Sequence, residues 1–190
     1  PTEYFDTKLW QGTGAIQSIT GLSFEPNFLW IKARTVAYQH SLRDSIRGST
    51  KTLRSNATTA EETQADSVTS FNSDGWSMGA DTSAMVNYST STYVGWAWKA
   101  GGAPTTDNLV AAGGTPTAGS VKIDGANLGS ALAGTIAATR LSASTTAGFS
   151  IATYTGNNTA EATIAHGLSQ IPDWVIVKDL DNGCTILEEH

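Results

Sequence analysis

The side chains able to do acid–base chemistry are few and widely spaced in this sequence. Internal histidines occur only at His40 and His166, and neither has serine and acid partners at the spacing of a hydrolase triad. Glu61 and Glu62 are adjacent on a polar stretch, so their carboxylates point apart and lack the defined separation of a glycosidase acid pair. We therefore predict no catalytic residues and expect that the protein is not an enzyme.

Oxygen ligands for a metal are concentrated between residues 66 and 81. Asp66, Asp81 and the NSDG stretch at 72–75 offer carboxylates and an amide that suit calcium. The alternating acids of a calcium loop are missing, however, and Asn, Asp and Gly are also the residues that tight turns need. We predict a hairpin turn with no metal and no cofactor. The single cysteine, Cys184, excludes an intrachain disulfide and is interpreted as incidental.

The six tryptophans are the strongest candidates for ligand contact. Trp10 and Trp76 stand in the loop-like contexts WQGTG and DGWSMG, where an exposed ring would stack on a sugar. Trp96 and Trp98 alternate with small residues in YVGWAWKA and share one bulky face. Aromatic side chains dominate β-sandwich cores, so we expect Trp96 and Trp98 to face the core and Trp10 and Trp76 to be exposed.

Asp44 and Arg47 form the last pair of candidate binding residues. They lie three positions apart in RDSIRG, where an acid and a base with this spacing bind a ligand or tie down a turn. The candidate ligand-binding set is therefore Trp10, Trp76, Asp44 and Arg47.

Composition restricts the partners that such residues could meet. The formal net charge is −6, which leaves no basic stripe for phosphates, so we expect no nucleic-acid partner. The apolar runs FLWI and WVIV are far shorter than the roughly 20 residues of a membrane span, so no membrane insertion is expected. Charged residues make up only 15% of the chain, and the many Gly, Ser, Thr and Asn residues favour a β protein with frequent turns.

One twelve-residue segment of the sequence, called here the repeated phrase, occurs twice. The segment GLSFEPNFLWIK at 21–32 recurs as GLSQIPDWVIVK at 167–178. Upstream of each copy, WQGTG at 10–14 corresponds to YTGNN at 154–158. In each copy a Gly and Pro turn precedes an apolar run with large side chains on both faces, as in a central strand. The repeat indicates a duplicated unit, and we predict a buried core strand in both copies.

Other stretches complete the predicted fold. YFDTKLW at 4–10 and YQHSLRDS at 38–45 are predicted strands, and DSVTSF, NSDG and WSMGA form a predicted hairpin. Together they predict an all-β, antiparallel sandwich of jelly-roll or lectin-like type, with an immunoglobulin-like sandwich as the alternative. The predicted domains are a sandwich module at 1–100, a Gly/Thr/Ala-rich linker or extended segment at 101–146, and a partial second copy at 147–190.

The same ordered stretches also carry a family resemblance. YFDTKLWQGTG, ITGLSFEPNFLWIKAR, SLRDSIRGSTKTLRSN, SFNSDGWSMG and YVGWAWKAGG, followed by AGFSIATYTGN and HGLSQIPDWVIVK, resemble a repeated β-rich module of marine bacteriophage structural proteins of the tail-fibre type. The resemblance covers most of residues 4–100 and 147–179 and brings no catalytic residues. It implies a location on the surface of the phage particle.

The resemblance implies a virion structural protein that attaches to the host surface, with a glycan as the candidate ligand. Other virion subunits or a second copy of the chain are the expected partners, because an unfinished second module would leave a strand edge and an apolar face to be covered. A purely architectural virion protein and a glycan depolymerase are the alternatives.

Overall fold

The computed structural model describes residues 2–182 and 185–189. Cys184, predicted to be incidental, lies outside this part of the chain. All regular secondary structure in the described residues is β. The strands are β1 (Phe5–Gln11), β2 (Gln17–Ile19), β3 (Phe28–Ala33), β4 (Ser41–Asp44), β5 (Gly48–Leu53), β6 (Glu62–Thr63), β7 (Val68–Asn72), β8 (Gly75–Met78), β9 (Thr92–Trp98), β10 (Val121–Ile123), β11 (Ala126–Asn127), β12 (Ala138–Ser144), β13 (Phe149–Tyr154), β14 (Trp174–Lys178) and β15 (Thr185–Glu189).

The chain divides into two compact units, residues 1–98 with 172–190, and residues 99–171. The first unit contains a six-stranded sheet in the order β1-β9-β3-β4-β5-β6 and a three-stranded sheet in the order β2-β8-β7. All pairings in these two sheets are antiparallel. The predicted strands at β1, β3 and β4 and the predicted β7–β8 hairpin are confirmed.

The two sheets share one core. Leu29, Ile31 and Tyr93 from the larger sheet are fully buried in a single cluster with Val68 and Trp76 from the smaller one. Side chains from two facing sheets that fill a common core define a sandwich. The predicted all-β, antiparallel sandwich is confirmed, while the finer jelly-roll topology stays a prediction.

The second unit is built on a four-stranded sheet in the order β11-β10-β12-β13, in which β10 and β12 run parallel. Residues 101–146, predicted to be a linker or extended segment, supply three of these strands, and Val121, Leu141 and Ala143 form the centre of a second core. The linker prediction is wrong here because small residues such as Ala138 and Ala143 pack closely and need few large side chains to exclude water.

The second copy of the repeated phrase is divided between the units. Residues 167–171 belong to the second unit, while β14 belongs to the first and pairs with β15 as a two-stranded sheet. Trp174 is 53% exposed and Ile176 37% exposed. The prediction of a buried core strand at 174–178 is therefore wrong, because among the described strands β14 has one neighbour where β3 has two.

Candidate binding surface

The acid and base predicted at Asp44 and Arg47 meet in a buried ion pair. Arg47 Nη2 lies 2.6 Å from Asp44 Oδ2, and Arg47 Nη1 lies 3.0 Å from Glu61 Oε2. Asp44 Oδ1 also accepts hydrogen bonds from the backbone N–H groups of Ile46 and Arg47. The pair thus closes the turn between β4 and β5 with its charges satisfied inside the protein. Glu61 belongs to this pair network, whereas Glu62 binds Arg54 at 2.7 Å.

A second arginine of β4 is more deeply buried. Arg43 has no exposed surface, and it donates to Ser41 Oγ, Gln64 Oε1 and Ser67 Oγ at 2.7 to 2.9 Å. Burial lowers the pKa of the guanidinium to about 10, and the charge of Asp81 partly opposes this shift. The side chain still carries its proton at neutral pH and ties β4 to the segment before β7.

Trp10 and Trp76, predicted to be exposed, lie in the core instead. Trp76 has no exposed surface, and its ring meets that of Trp10 edge-on with centroids 5.5 Å apart. Trp10 donates its indole N–H to Val86 O at 3.0 Å. A Cβ atom added at Gly95 would lie 3.0 Å from the Trp10 ring and 3.2 Å from that of Trp76. The two rings therefore occupy the space that the missing side chain of Gly95 leaves over β9.

The acids that suggested calcium are used by the loop between β8 and β9. Asp81 Oδ2 accepts from the backbone N–H groups of Val86 and Asn87 at 2.6 and 2.7 Å, and Oδ1 accepts from Ser83 Oγ. Asp66 accepts from the N–H and hydroxyl of Thr82, and these hydrogen bonds lower the pKa of its carboxyl. Across residues 2–182, no three His, Cys, Asp or Glu side chains cluster as metal ligands.

The side chains of β9 alternate between two faces as predicted, but the face that packs on the core is the opposite one. Tyr93, Gly95 and Ala97 face the core, while Trp96 and Trp98 are half-buried on the other side of the six-stranded sheet. The prediction that Trp96 and Trp98 face the core is wrong. The inner side of β9 must accommodate the rings of Trp10 and Trp76 at Gly95. Gly95 and Ala97 therefore point inward beside Tyr93, and Trp96 and Trp98 point outward.

The outward side chains of β1, β9 and β3 form one aromatic surface. We call the five rings of Phe5, Phe28, Trp30, Trp96 and Trp98 the outer aromatic face. Strand register places Phe5, Trp98 and Phe28 side by side, and Trp96 beside Trp30 in the next row. Ring centroids lie 4.9 Å apart for Phe5 and Trp98, 5.4 Å for Phe28 and Trp98, and 6.2 Å for Trp30 and Trp96.

Polar and aliphatic groups border these rings. Thr7 lies opposite Trp96 on β1, and the following row carries Leu9, Val94 and Lys32. Phe5 is 38% exposed and Leu9 is 64% exposed. Of the five rings, Phe5 is exposed and the other four are partly buried. The margin adds the hydroxyl of Thr7 and the ammonium group of Lys32, which donates to Ala33 O at 2.8 Å.

His40 fixes one corner of the outer aromatic face. Trp30 donates its indole N–H to His40 Nδ1 at 2.8 Å, and the two rings meet edge-on. Burial, and then the charge of Lys32, lower the pKa of His40 below its ordinary value of 6.5. An accepting Nδ1 requires the neutral imidazole, so protonation removes this hydrogen bond.

Acidification is expected to release Trp30 before the protein unfolds. Because the folded-state pKa of His40 is depressed, its contribution to stability is present above pH 6.5 and is lost as the pH falls below that value. The Trp30 indole N–H resonance should lose its hydrogen-bonded shift as the pH falls below 6.5. The same resonance in His40→Ala should be insensitive to pH over this range. Equal titration in both proteins would contradict the assignment.

His166, the other internal histidine, lies in the second unit. It lines a pocket of about 380 Å³ between residues 132–134 and 163–168, and its Nδ1 accepts from the backbone N–H of Leu168 at 3.1 Å. The pocket walls are otherwise small and mostly apolar residues. His166 therefore has a local structural partner, and the described lining contains no acid to complete a catalytic group.

Sequence analysis predicted only part of the outer aromatic face. The sequence pattern correctly placed Trp96 and Trp98 on one side of a strand, and Phe28 and Trp30 on one side of another. It did not show that both sides face away from the core, because period-two alternation specifies two faces without saying which is covered. The one available indication was Gly95, since glycine inside a strand often marks the close approach of another group.

The fold and this surface define a class: an antiparallel β-sandwich protein that presents aromatic side chains on the outer side of its larger sheet. No helix in the described residues is long and apolar enough to cross a membrane.

The chain belongs to the family described as Domain of unknown function (DUF7483), which matches residues 1–121 and again residues 111–187. Each matched segment contains one copy of the repeated phrase. No curated protein and no solved structure matches the chain.

Proposed function

We propose that this protein is a non-catalytic structural module of a bacteriophage particle, and that its outer aromatic face attaches to glycans on the host surface. The observation that carries the proposal is the arrangement of Trp30, Trp96 and Trp98, partly buried and facing away from the core, on one side of the six-stranded sheet. The sequence resemblance to repeated tail-fibre-like modules supports the location in the virion, and the two matches to one family fit a modular protein.

The chemistry of the face suits a sugar. Pyranose rings have apolar C–H faces that pack on aromatic rings, while their hydroxyls need polar partners nearby. The rings of Trp96 and Trp98 supply the apolar surface; Thr7 lies opposite Trp96, and Lys32 lies in the next row opposite Val94. Binding to one such face would be weak, and presentation of many copies on a particle would raise the avidity by orders of magnitude, about 10²–10⁴-fold.

The test is binding of the protein, displayed in many copies, to a glycan array and to polysaccharide from candidate host cells. Trp96→Ala and Trp98→Ala are expected to reduce the apparent affinity at least about tenfold, because each removes a large part of the stacking surface. Ile16→Ala is the matched control, since Ile16 is apolar and 87% exposed but lies before β2, away from the outer aromatic face. Its affinity should be unchanged.

The outcomes separate the alternatives. Absence of glycan binding by the multivalent protein would favour a purely architectural role in the virion. A fall in polysaccharide viscosity during incubation would contradict a non-catalytic protein and indicate a depolymerase. Equal loss of binding in the Ile16 control and in the tryptophan variants would show that the outer aromatic face is not the binding surface.

A further inference from the structure

Three loops of the first unit meet at one end of its sandwich. They connect β1 to β2, β3 to β4 and β8 to β9, at residues 12–16, 34–40 and 79–91. Strand register brings them together, because Gln11 lies opposite Thr92 and Ala33 lies opposite Tyr93. We call these three loops the loop end. Loops that a rigid sheet holds in place are where binding residues are concentrated in proteins.

A buried amide fixes the β8–β9 loop to the β1–β2 loop. Asn87 has no exposed surface, and its side-chain oxygen accepts from the backbone N–H of Thr13 at 2.9 Å. Its side-chain nitrogen donates to Ala15 O at 2.6 Å and to Gly79 O at 2.7 Å. Together with the hydrogen bonds of Asp81 described above, these contacts hold the loop in one conformation.

The same loop contains backbone conformations that side chains rarely adopt. Three non-glycine residues have positive φ: Asp81 at 52°, Ala84 at 61° and Thr90 at 71°. A β-branched residue such as threonine is an outlier in this region, and the N–H of Thr90 is held by Gly12 O at 3.3 Å. A Cβ atom added at Gly12 would lie 2.2 Å from Tyr88 O, so this approach requires glycine. Strained segments of this kind cluster at ligand-binding sites.

The loop end presents aromatic rings and hydroxyl groups to solvent. Tyr88 is 50% exposed, and its ring meets that of Tyr38 with centroids 6.3 Å apart and planes at 79°, so the rings form two walls of a corner. Tyr38 is anchored because it also packs against the core. Ser89 and Thr90 are exposed beside Tyr88. Within residues 2–182, no group is hydrogen-bonded to the side-chain hydroxyls of these four residues.

The chemistry of this surface suits a neutral ligand that is rich in hydroxyl groups. Residues 83–92, SAMVNYSTST, contain no charged side chain, so the tip offers no counter-charge to a phosphate or an acidic peptide. A purely apolar ligand would bury the hydroxyls without giving them partners, which costs free energy. A saccharide has an apolar C–H face for an aromatic ring and hydroxyls that donate and accept hydrogen bonds.

We propose that the loop end is a second saccharide site, in which Tyr88 and Tyr38 pack on a sugar ring while Ser89 and Thr90 bind its hydroxyls. The site is separate from the outer aromatic face and does not depend on it. β9 begins beside the loop end at Thr92 and reaches Trp96 four residues later, roughly 13 Å along the strand. One sugar ring cannot touch both surfaces, so a module with two sites would hold a polysaccharide at two points.

The experiment is an NMR titration of the ¹⁵N-labelled whole chain with neutral oligosaccharides that end in glucose, galactose or mannose. The backbone amide resonances of Ser89 and Thr90 should shift saturably with at least one of them. Tyr88→Ala should weaken this binding about tenfold or more, because it removes one wall of the corner. Tyr88→Phe is the matched control, since it keeps the ring, and it should lose much less. Trp96→Ala should leave these shifts unchanged.

A second variant separates binding from folding. Thr90→Gly removes a hydroxyl and relieves the positive φ, which glycine adopts without steric cost. Its resistance to urea should therefore be no lower than that of the unmodified chain, while its affinity for the same oligosaccharide should fall. A Thr90→Gly chain with undiminished affinity would contradict the role of the Thr90 hydroxyl.

The titration distinguishes this site from the outer aromatic face. Shifts confined to Trp96 and Trp98 would overturn the second site and leave the proposed function intact. Shifts confined to residues 88–90 would support the second site and contradict the proposed function. Equal affinity of Tyr88→Ala and the unmodified chain would also overturn the proposal, as would binding of acidic saccharides alone, which would indicate Arg34 of the β3–β4 loop instead.

Discussion

Trp76→Ala is expected to lower the free energy of unfolding of the first unit by about 3–5 kcal/mol, the usual cost of removing a buried tryptophan. Trp76 has no exposed surface and packs edge-on against Trp10. The cavity would lie between the two sheets, where Gly95 offers no side chain to fill it. Urea unfolding followed by near-ultraviolet circular dichroism measures the change.

Two further variants make this prediction specific. Trp76→Phe should cost less than Trp76→Ala, because the phenyl ring fills part of the space and, among the described residues, the Trp76 indole nitrogen has no hydrogen-bond partner to lose. Trp174→Ala is the control and should change stability by less than about 1 kcal/mol, since that side chain is 53% exposed. Equal losses for Trp76→Ala and Trp174→Ala would contradict the position of Trp76 in the core.

Arg47→Ala is expected to lower the free energy of unfolding by about 3–5 kcal/mol, because it leaves a buried carboxylate without its counter-charge. Asp44 loses a partner at 2.6 Å and Glu61 loses one at 3.0 Å. Arg47 also donates to Leu42 O, so a backbone acceptor of β4 loses its donor as well. Urea unfolding again measures the change.

Arg54→Ala is the matched control for the buried pair. Arg54 binds Glu62 at 2.7 Å, but the two side chains are 19% and 39% exposed, and a solvated pair of this kind contributes at most about 1 kcal/mol. A small loss in Arg47→Ala, equal to that of the control, would contradict a structural role. If Arg47→Ala remained stable and lost glycan binding, the sequence-based prediction of a ligand contact at Arg47 would be supported instead.

The strands of the first unit that the sequence predicted, β1, β3, β4, β7, β8 and β9, were predictable because their signals are local. The Gly and Pro turn before β3, the alternation in β9 and the NSDG turn between β7 and β8 each depend on a few neighbouring residues. The inward face of β9 was not predictable in the same way, because Trp10 and Trp76 come from other strands and meet Gly95 only after the sheets have packed. The candidate tryptophans were therefore assigned to the wrong sides.

In the second unit, sequence composition failed to predict a buried core. Residues 121–144 have the composition of a linker, yet they include strands whose small side chains close a core with Ile164 and Leu168. Composition measures how much apolar surface a segment carries, whereas burial depends on how closely distant segments approach. The pairing of residues 121–123 with 141–143 in parallel strands is a non-local contact that local patterns do not encode.

By itself, the sequence determined the β class, the turns and the existence of a repeated strand, because these follow from backbone preferences and side-chain period. Only the tertiary structure decided which side of each strand is covered. It buried Trp10, Trp76 and the Asp44–Arg47 pair, turned Trp96 and Trp98 outward, and paired β14 with one of the described strands where β3 pairs with two. The physical reason is that burial is a property of the packed sheets, and two strands with the same repeated phrase, β3 and β14, acquire different surroundings when their neighbours differ.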